Sequence, residues 1–152
     1  MMSEGFATPS RTVDLDDALA LLSGGEMEKS HGLMPWSSNY TFLVEVHHAD
    51  EKTLAVYKPC RGERPLWDFP DGTLALREVA AFVVSRALGW DFIPPTVLRE
   101  GFVGLGAVQL FIEADPEAHY FSLRDDHLLV FQRVAAFDYI INNADRKGGH
   151  CL

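Results

Sequence analysis

The sequence predicts an α+β domain, an antiparallel sheet with a packed helix followed by a helical segment. Three observations carry this. Residues 40–47 and 53–58 alternate with period two around a short polar turn, and a second extended pair spans 96–99 and 105–113. Apolar residues recur at helical spacing over 79–87 and 130–141. The resulting order of helix, hairpin, helix, hairpin, linker, helix and loop segregates strands from the final helix, which is the α+β arrangement.

Residues 1–12, rich in Gly, Ser, Thr and Pro, read as a loose tail. Asp14 caps a helix through Leu22 that buries Leu15, Ala18, Leu19 and Leu22 and stops at Gly24-Gly25. Residues 26–39 carry turn chemistry. In the first hairpin Phe42, Val44 and Val46 share one face, and Leu54, Val56 and Lys58 share a face of the partner strand. A Pro/Gly-containing loop covers 59–72. A helix capped by Asp71 or Thr73 then runs to Leu88, burying Val79, Phe82, Val83 and Ala87 and ending at Gly89. After a polar connector at 114–121, Ser122 and Asp125 read as a capping box for a helix reaching Ile141, with Val130, Val134, Phe137 and Ile141 inward.

A length of 152 residues makes one domain the default. The net charge of -9 excludes general nucleic-acid or anionic-membrane binding, since phosphate-rich partners would be repelled. The longest apolar stretch, 79–84, is too short to span a bilayer, and no signal peptide is visible at the N-terminus. A cytoplasmic protein is expected. Cys60 and Cys151 have no metal or redox spacing and read as reduced thiols. The six histidines do not form a zinc pattern.

Four groups of residues can carry chemistry. Lys58 shares a strand face with apolar residues, so its ammonium needs an anionic partner or must snorkel to solvent. Glu78, early in the next helix, is the candidate partner. Ser37, Ser38 and Asn39 sit on the turn before the first long strand, where hydroxyls and backbone N–H groups can contact phosphate oxygens; an ordinary turn is the other reading. The run Asn143-Ala144-Asp145-Arg146-Lys147-Gly148-Gly149-His150 presents Asp145 on a turn after a helix. That is the layout of a kinase-type catalytic loop, in which an Asp orients the attacking hydroxyl. Arg146 can hold Asp145 or a neighbouring carboxylate through bidentate bonds, and His150 can ligate a cation or contact a phosphate. Asn142 and Asn143 can instead cap the helix and fix the loop.

Five segments extend this reading: Ser37-Ser38-Asn39, Val56-Tyr57-Lys58-Pro59, the long run from Gly62 to Leu74, Arg77-Glu78-Val79-Ala80-Ala81, and 141–150. Together they resemble a bacterial, chiefly actinobacterial, family usually described as phosphatidylinositol 3- and 4-kinase-like. The resemblance runs from about 22 to 152. It implies an atypical kinase fold, with an N-terminal lobe over 13–113, a hinge or connector over 114–121, and the start of a C-terminal lobe over 122–152. It further implies ATP and Mg2+. Lys58 would hold nucleotide phosphates and pair with Glu78, and Val56 would join the nucleotide-binding set. Phe111, Ile112 and Glu113 would form the hinge edge facing adenine. Asp145 would be the catalytic aspartate beside Arg146, with Asn143 and His150 near the metal.

Two departures stand out. Lipid and protein kinases usually carry Asn where this chain has His150, and relatives continue into an Asp-His-Gly segment whose Asp binds metal. The chain is therefore expected to be a truncated kinase-like fragment, inactive by itself and prone to self-association through its final helix. A lipid, a protein or a small molecule is each compatible as the phosphate acceptor. The competing expectation is a non-catalytic, kinase-like nucleotide-binding or protein-interaction module.

Overall fold

The structure, a computed structural model, describes residues 14–29 and 40–148. Within them are one five-stranded antiparallel sheet and four helices, of which the first two pack on the sheet. The order along the chain is α1 (Leu15–Gly24), β1 (Glu26–Glu28), β2 (Phe42–His48), β3 (Glu51–Pro59), α2 (Leu74–Ala87), β4 (Thr96–Gly101), β5 (Gly104–Leu110), α3 (Tyr120–Leu123) and α4 (Leu128–Ile140). The sheet order is β1-β2-β3-β5-β4. The fold is thus α+β, as the sequence pattern predicts. None of these helices is long and apolar enough to cross a membrane.

The sheet separates two environments. Side chains alternate across it, so Phe42, Val44 and Val46 of β2 share a face with Ala55 and Tyr57 of β3 and Val108 of β5. Leu21 and Leu22 of α1 close that face into the main core. Asp14 caps α1 by accepting a bond from the Asp16 amide at 2.9 Å. At its other end Arg99 of β4 donates from one terminal nitrogen to the carbonyls of Leu22 and Gly25, each at 2.8 Å. A cation there satisfies helix-end carbonyls and suits the helix dipole.

Tyr57 fills the end of the core, its hydroxyl donating to the Gly104 carbonyl and its ring edge-on to Phe102. Its ring leaves no room at β5: a Cβ on Gly106 would lie 2.6 Å from the Lys58 carbonyl oxygen and 2.7 Å from the ring. Burial pushes the Tyr57 phenol above its usual value, a hydrogen bond with the Val103 backbone only partly offsetting it.

The opposite face carries Lys58 and Gln109, and α2 packs there against β4 and β5. Gly89, in the left-handed region at φ 66, ends α2 as predicted. The buried set of α2 is Ala75, Phe82 and Ser85. Val83 and Ala87 are exposed instead of inward, because the helix is rotated to bring Ser85 under the 89–93 turn. There its hydroxyl oxygen accepts from the Phe92 amide at 2.8 Å. Likewise the more deeply buried residues of β3 are Ala55 and Tyr57, while the Leu54, Val56 and Lys58 face is only half-buried.

Three further expectations need correction. The strand predicted to reach Glu113 ends at Leu110. The short β1 replaces part of the predicted turn region, pairing Met27 with Val46. The single helix over 122–141 is two helices. Ser122 stands at the third position of α3, its hydroxyl accepting from the His119 amide at 3.0 Å, so the helix begins before it and Asp125 caps nothing there. Of the residues expected inward on α4, Phe137 is fully buried, against Phe92, while Val130 is 44% exposed because the helix packs mainly through its last turn. The tail and the 30–39 turn lie outside the described residues.

Candidate functional site

A cleft of about 610 Å³ opens between the Lys58 face of the sheet, α2, the 60–73 loop and the segment after α4. Lys58 reaches it from β3 and Glu78 from the second turn of α2. Their charged groups meet at 2.8 Å, each side chain about a third exposed. The pairing follows from the fold: α2 crosses the face on which Lys58 must lie, and a carboxylate in its early turns points back at that strand. Asn143 and Arg146 line the same cleft from the other side.

The 141–146 segment is held by a carboxylate that the sequence reading did not single out. Asp138, nearly buried on α4, accepts two bonds from Arg146, at 2.8 Å from Nε and 2.7 Å from a terminal nitrogen, and one from Asn143 Nδ2 at 3.0 Å. The Asn143 amide also donates to the Asp138 carbonyl at 2.8 Å. Burial pushes the Asp138 carboxyl up. The Arg146 and Asn143 hydrogen bonds and the Arg146 charge outweigh it and hold the group below the usual carboxylate range. Arg146 therefore binds a neighbouring carboxylate, one of the two partners its sequence context allows, and that partner is Asp138 instead of Asp145. The sequence signal was a lone acid near the end of an apolar helix, which requires a cation nearby.

Glu63 was also missed. Its two carboxylate oxygens accept from the Leu74 and Ala75 amides at 3.2 and 2.9 Å. It thereby caps α2, whereas the Thr73 hydroxyl turns away to the Pro70 carbonyl. Arg77 lines the cleft with its guanidinium 3.6 Å above the Phe69 ring. Gln109 lines it from β5, and its Nε2 donates to Thr96 Oγ1 at 2.9 Å.

The remaining predicted residues are placed as follows. Val56 is half-buried on the Lys58 face, opposite Gln109, and is not among the cleft-lining residues. Phe111 bonds its amide to the Leu54 carbonyl at 3.0 Å; Ile112 and Glu113 are exposed, and none of the three lines the cleft. The Asp145 side chain is 84% exposed, 3.7 Å from Lys147, and does not line the cleft either. Ser37, Ser38, Asn39 and His150 lie outside the described residues.

Among the described residues no three His, Cys, Asp or Glu side chains converge as a metal set. Asn143 engages both ends of its amide, Nδ2 with Asp138 and Oδ1 with the Asp145 amide at 3.2 Å. Among the described residues these side chains do not by themselves compose a magnesium site.

No family model and no solved structure matches the chain. The chain is similar to Protein Rv2133c of Mycobacterium tuberculosis. The two are 40% identical over 172 aligned positions, which cover 90% of this chain. The chain spans 62% of that protein's length.

Proposed function

We propose that the cleft binds the phosphates of ATP and belongs to a kinase-like phosphotransferase that passes the γ-phosphate to a hydroxyl acceptor. The observation that carries the reading is the Lys58–Glu78 pair at 2.8 Å, set in one cleft with Asn143 and Arg146 of the Asp138-anchored loop. An ammonium held by a carboxylate is oriented yet still able to donate to a phosphate oxygen. In such chemistry the protein contributes positioning and charge stabilisation above all.

In this proposal Lys58 holds nucleotide phosphate and Glu78 orients Lys58. Asp145 accepts the proton of the acceptor hydroxyl as its oxygen attacks the γ-phosphorus and the bond to the bridging oxygen breaks, releasing ADP. The resemblance to phosphatidylinositol 3- and 4-kinase-like proteins supports the same reading; the Phe111–Glu113 edge, the Ser37–Asn39 turn and the Mg2+ that it implies rest on the sequence alone.

A second reading, a nucleotide-binding module without transfer activity, is favoured by the outward position of the Asp145 carboxylate beside Lys147. Calorimetric titration with ATP tests the shared premise. Lys58→Ala removes a charged contact worth about 1.5–3 kcal/mol, so affinity falls about 10- to 150-fold. Equal affinity in the two proteins refutes the role of Lys58. Phosphate transfer that is lost in Asp145→Asn separates the enzyme from the module.

A further inference from the structure

We infer that Gln109 sets the base preference of the cleft by presenting a hydrogen-bond acceptor to the ligand, favouring adenine over guanine. The inference rests on the nucleotide reading above and concerns a residue outside the predicted set.

The hydrogen-bond chain fixes which end of the amide faces the ligand. Thr96 has one hydroxyl proton, and its oxygen lies 2.8 Å from the Pro94 carbonyl, which can only accept. That proton is therefore spent. The Thr96 oxygen must accept in its contact with Gln109 at 2.9 Å, so the Gln109 atom there is the NH2 nitrogen. Thr96 is 2% exposed, so solvent does not compete for this bond.

The other end of the amide is its oxygen. Among the described residues that oxygen has no hydrogen-bond partner, and it is not sealed from solvent. Gln109 lines the cleft and pairs across the sheet with Val56, two positions before Lys58 on β3. The acceptor and the ammonium thus belong to one strip of the sheet.

An exocyclic amine on the ligand can donate to this oxygen. A carbonyl in the same place would set two acceptors against each other and leave both unpaired, which a partly dry site penalises. Adenine carries the amine where guanine carries the carbonyl.

The test is calorimetric titration of ATP and GTP into the chain and three variants. Wild type is expected to prefer ATP. Gln109→Leu lowers the ATP:GTP affinity ratio about ten-fold, the scale of one neutral hydrogen bond. Thr96→Val removes the group that locks the amide, lets it rotate, and also lowers the ratio. Being isosteric, it supplies the test if circular dichroism shows Gln109→Leu unfolded. Binding that is lost in Lys58→Ala but has the same ratio in wild type and the folded Gln109 and Thr96 variants overturns this inference and leaves the nucleotide reading standing. No Lys58-dependent binding of either nucleotide overturns both.

Discussion

Replacing Asp138 by Asn tests whether one buried carboxylate organises the loop after α4. The change keeps the size and removes the charge. Asp138 is 8% exposed and receives two bonds from Arg146 and one from Asn143. An amide has one acceptor oxygen, so it cannot hold both Arg146 nitrogens and Asn143 as the carboxylate does. Breaking a fully buried pair costs about 3–5 kcal/mol. The Arg146 side chain, however, is 31% exposed and regains water, so the loss is discounted to about 2 kcal/mol.

The pH dependence sharpens the test. The folded carboxyl lies below its usual range, so as pH falls the unfolded chain takes up its proton first. The stabilisation is fully present above the unfolded value of about 4 and is lost as pH drops from there through the folded value. Urea unfolding followed from pH 7 to pH 3 should show a gap between wild type and Asp138→Asn of about 2 kcal/mol that narrows below about pH 4. Hydrogen exchange across 138–146 should accelerate in the variant at neutral pH. A gap independent of pH, or unchanged exchange in that segment, would refute the assigned role.

Two further outcomes follow from the packing. Glu63→Ala strips the acceptor from the Leu74 and Ala75 amides and should lower stability by about 1–2 kcal/mol, read from the urea midpoint; an unchanged midpoint contradicts the cap. Gly106→Ala forces a methyl to 2.6 Å from the Lys58 carbonyl and should cost about 1–3 kcal/mol by the same measurement, whereas a neutral substitution would show that the Tyr57 contact is loose.

The parts of the fold legible in the sequence were those set by periodicity and backbone geometry. The β2 face of Phe42, Val44 and Val46 reads directly from period-two alternation, and α1 and α2 read from their stop residues. The rotation of α2 was hidden because a serine, Ser85, is buried in place of an apolar residue, satisfied by the Phe92 amide 2.8 Å away. The break between α3 and α4 was hidden because Ser122 resembles a helix start while acting three positions into one. At the site, Lys58 and Glu78 were legible because a cation on an apolar strand face demands an acid on the next packed element. Asp138, Glu63 and Gln109 were not, because each acts through partners that only the folded chain brings near, 8, 11–12 and 13 positions away.

Mass-spectrometric mapping after treatment with an acyl-phosphate derivative of ATP reads out whether nucleotide phosphates sit beside Lys58. A lysine nitrogen near the bound phosphates attacks the acyl carbonyl, and ATP leaves as the amide forms. Lys58 acylation that excess ATP suppresses, and that Glu78→Gln weakens, is the predicted result. Labelling spread over Lys29, Lys52 and Lys147 with Lys58 unmodified, or Lys58 labelling that ATP does not reduce, would contradict the account.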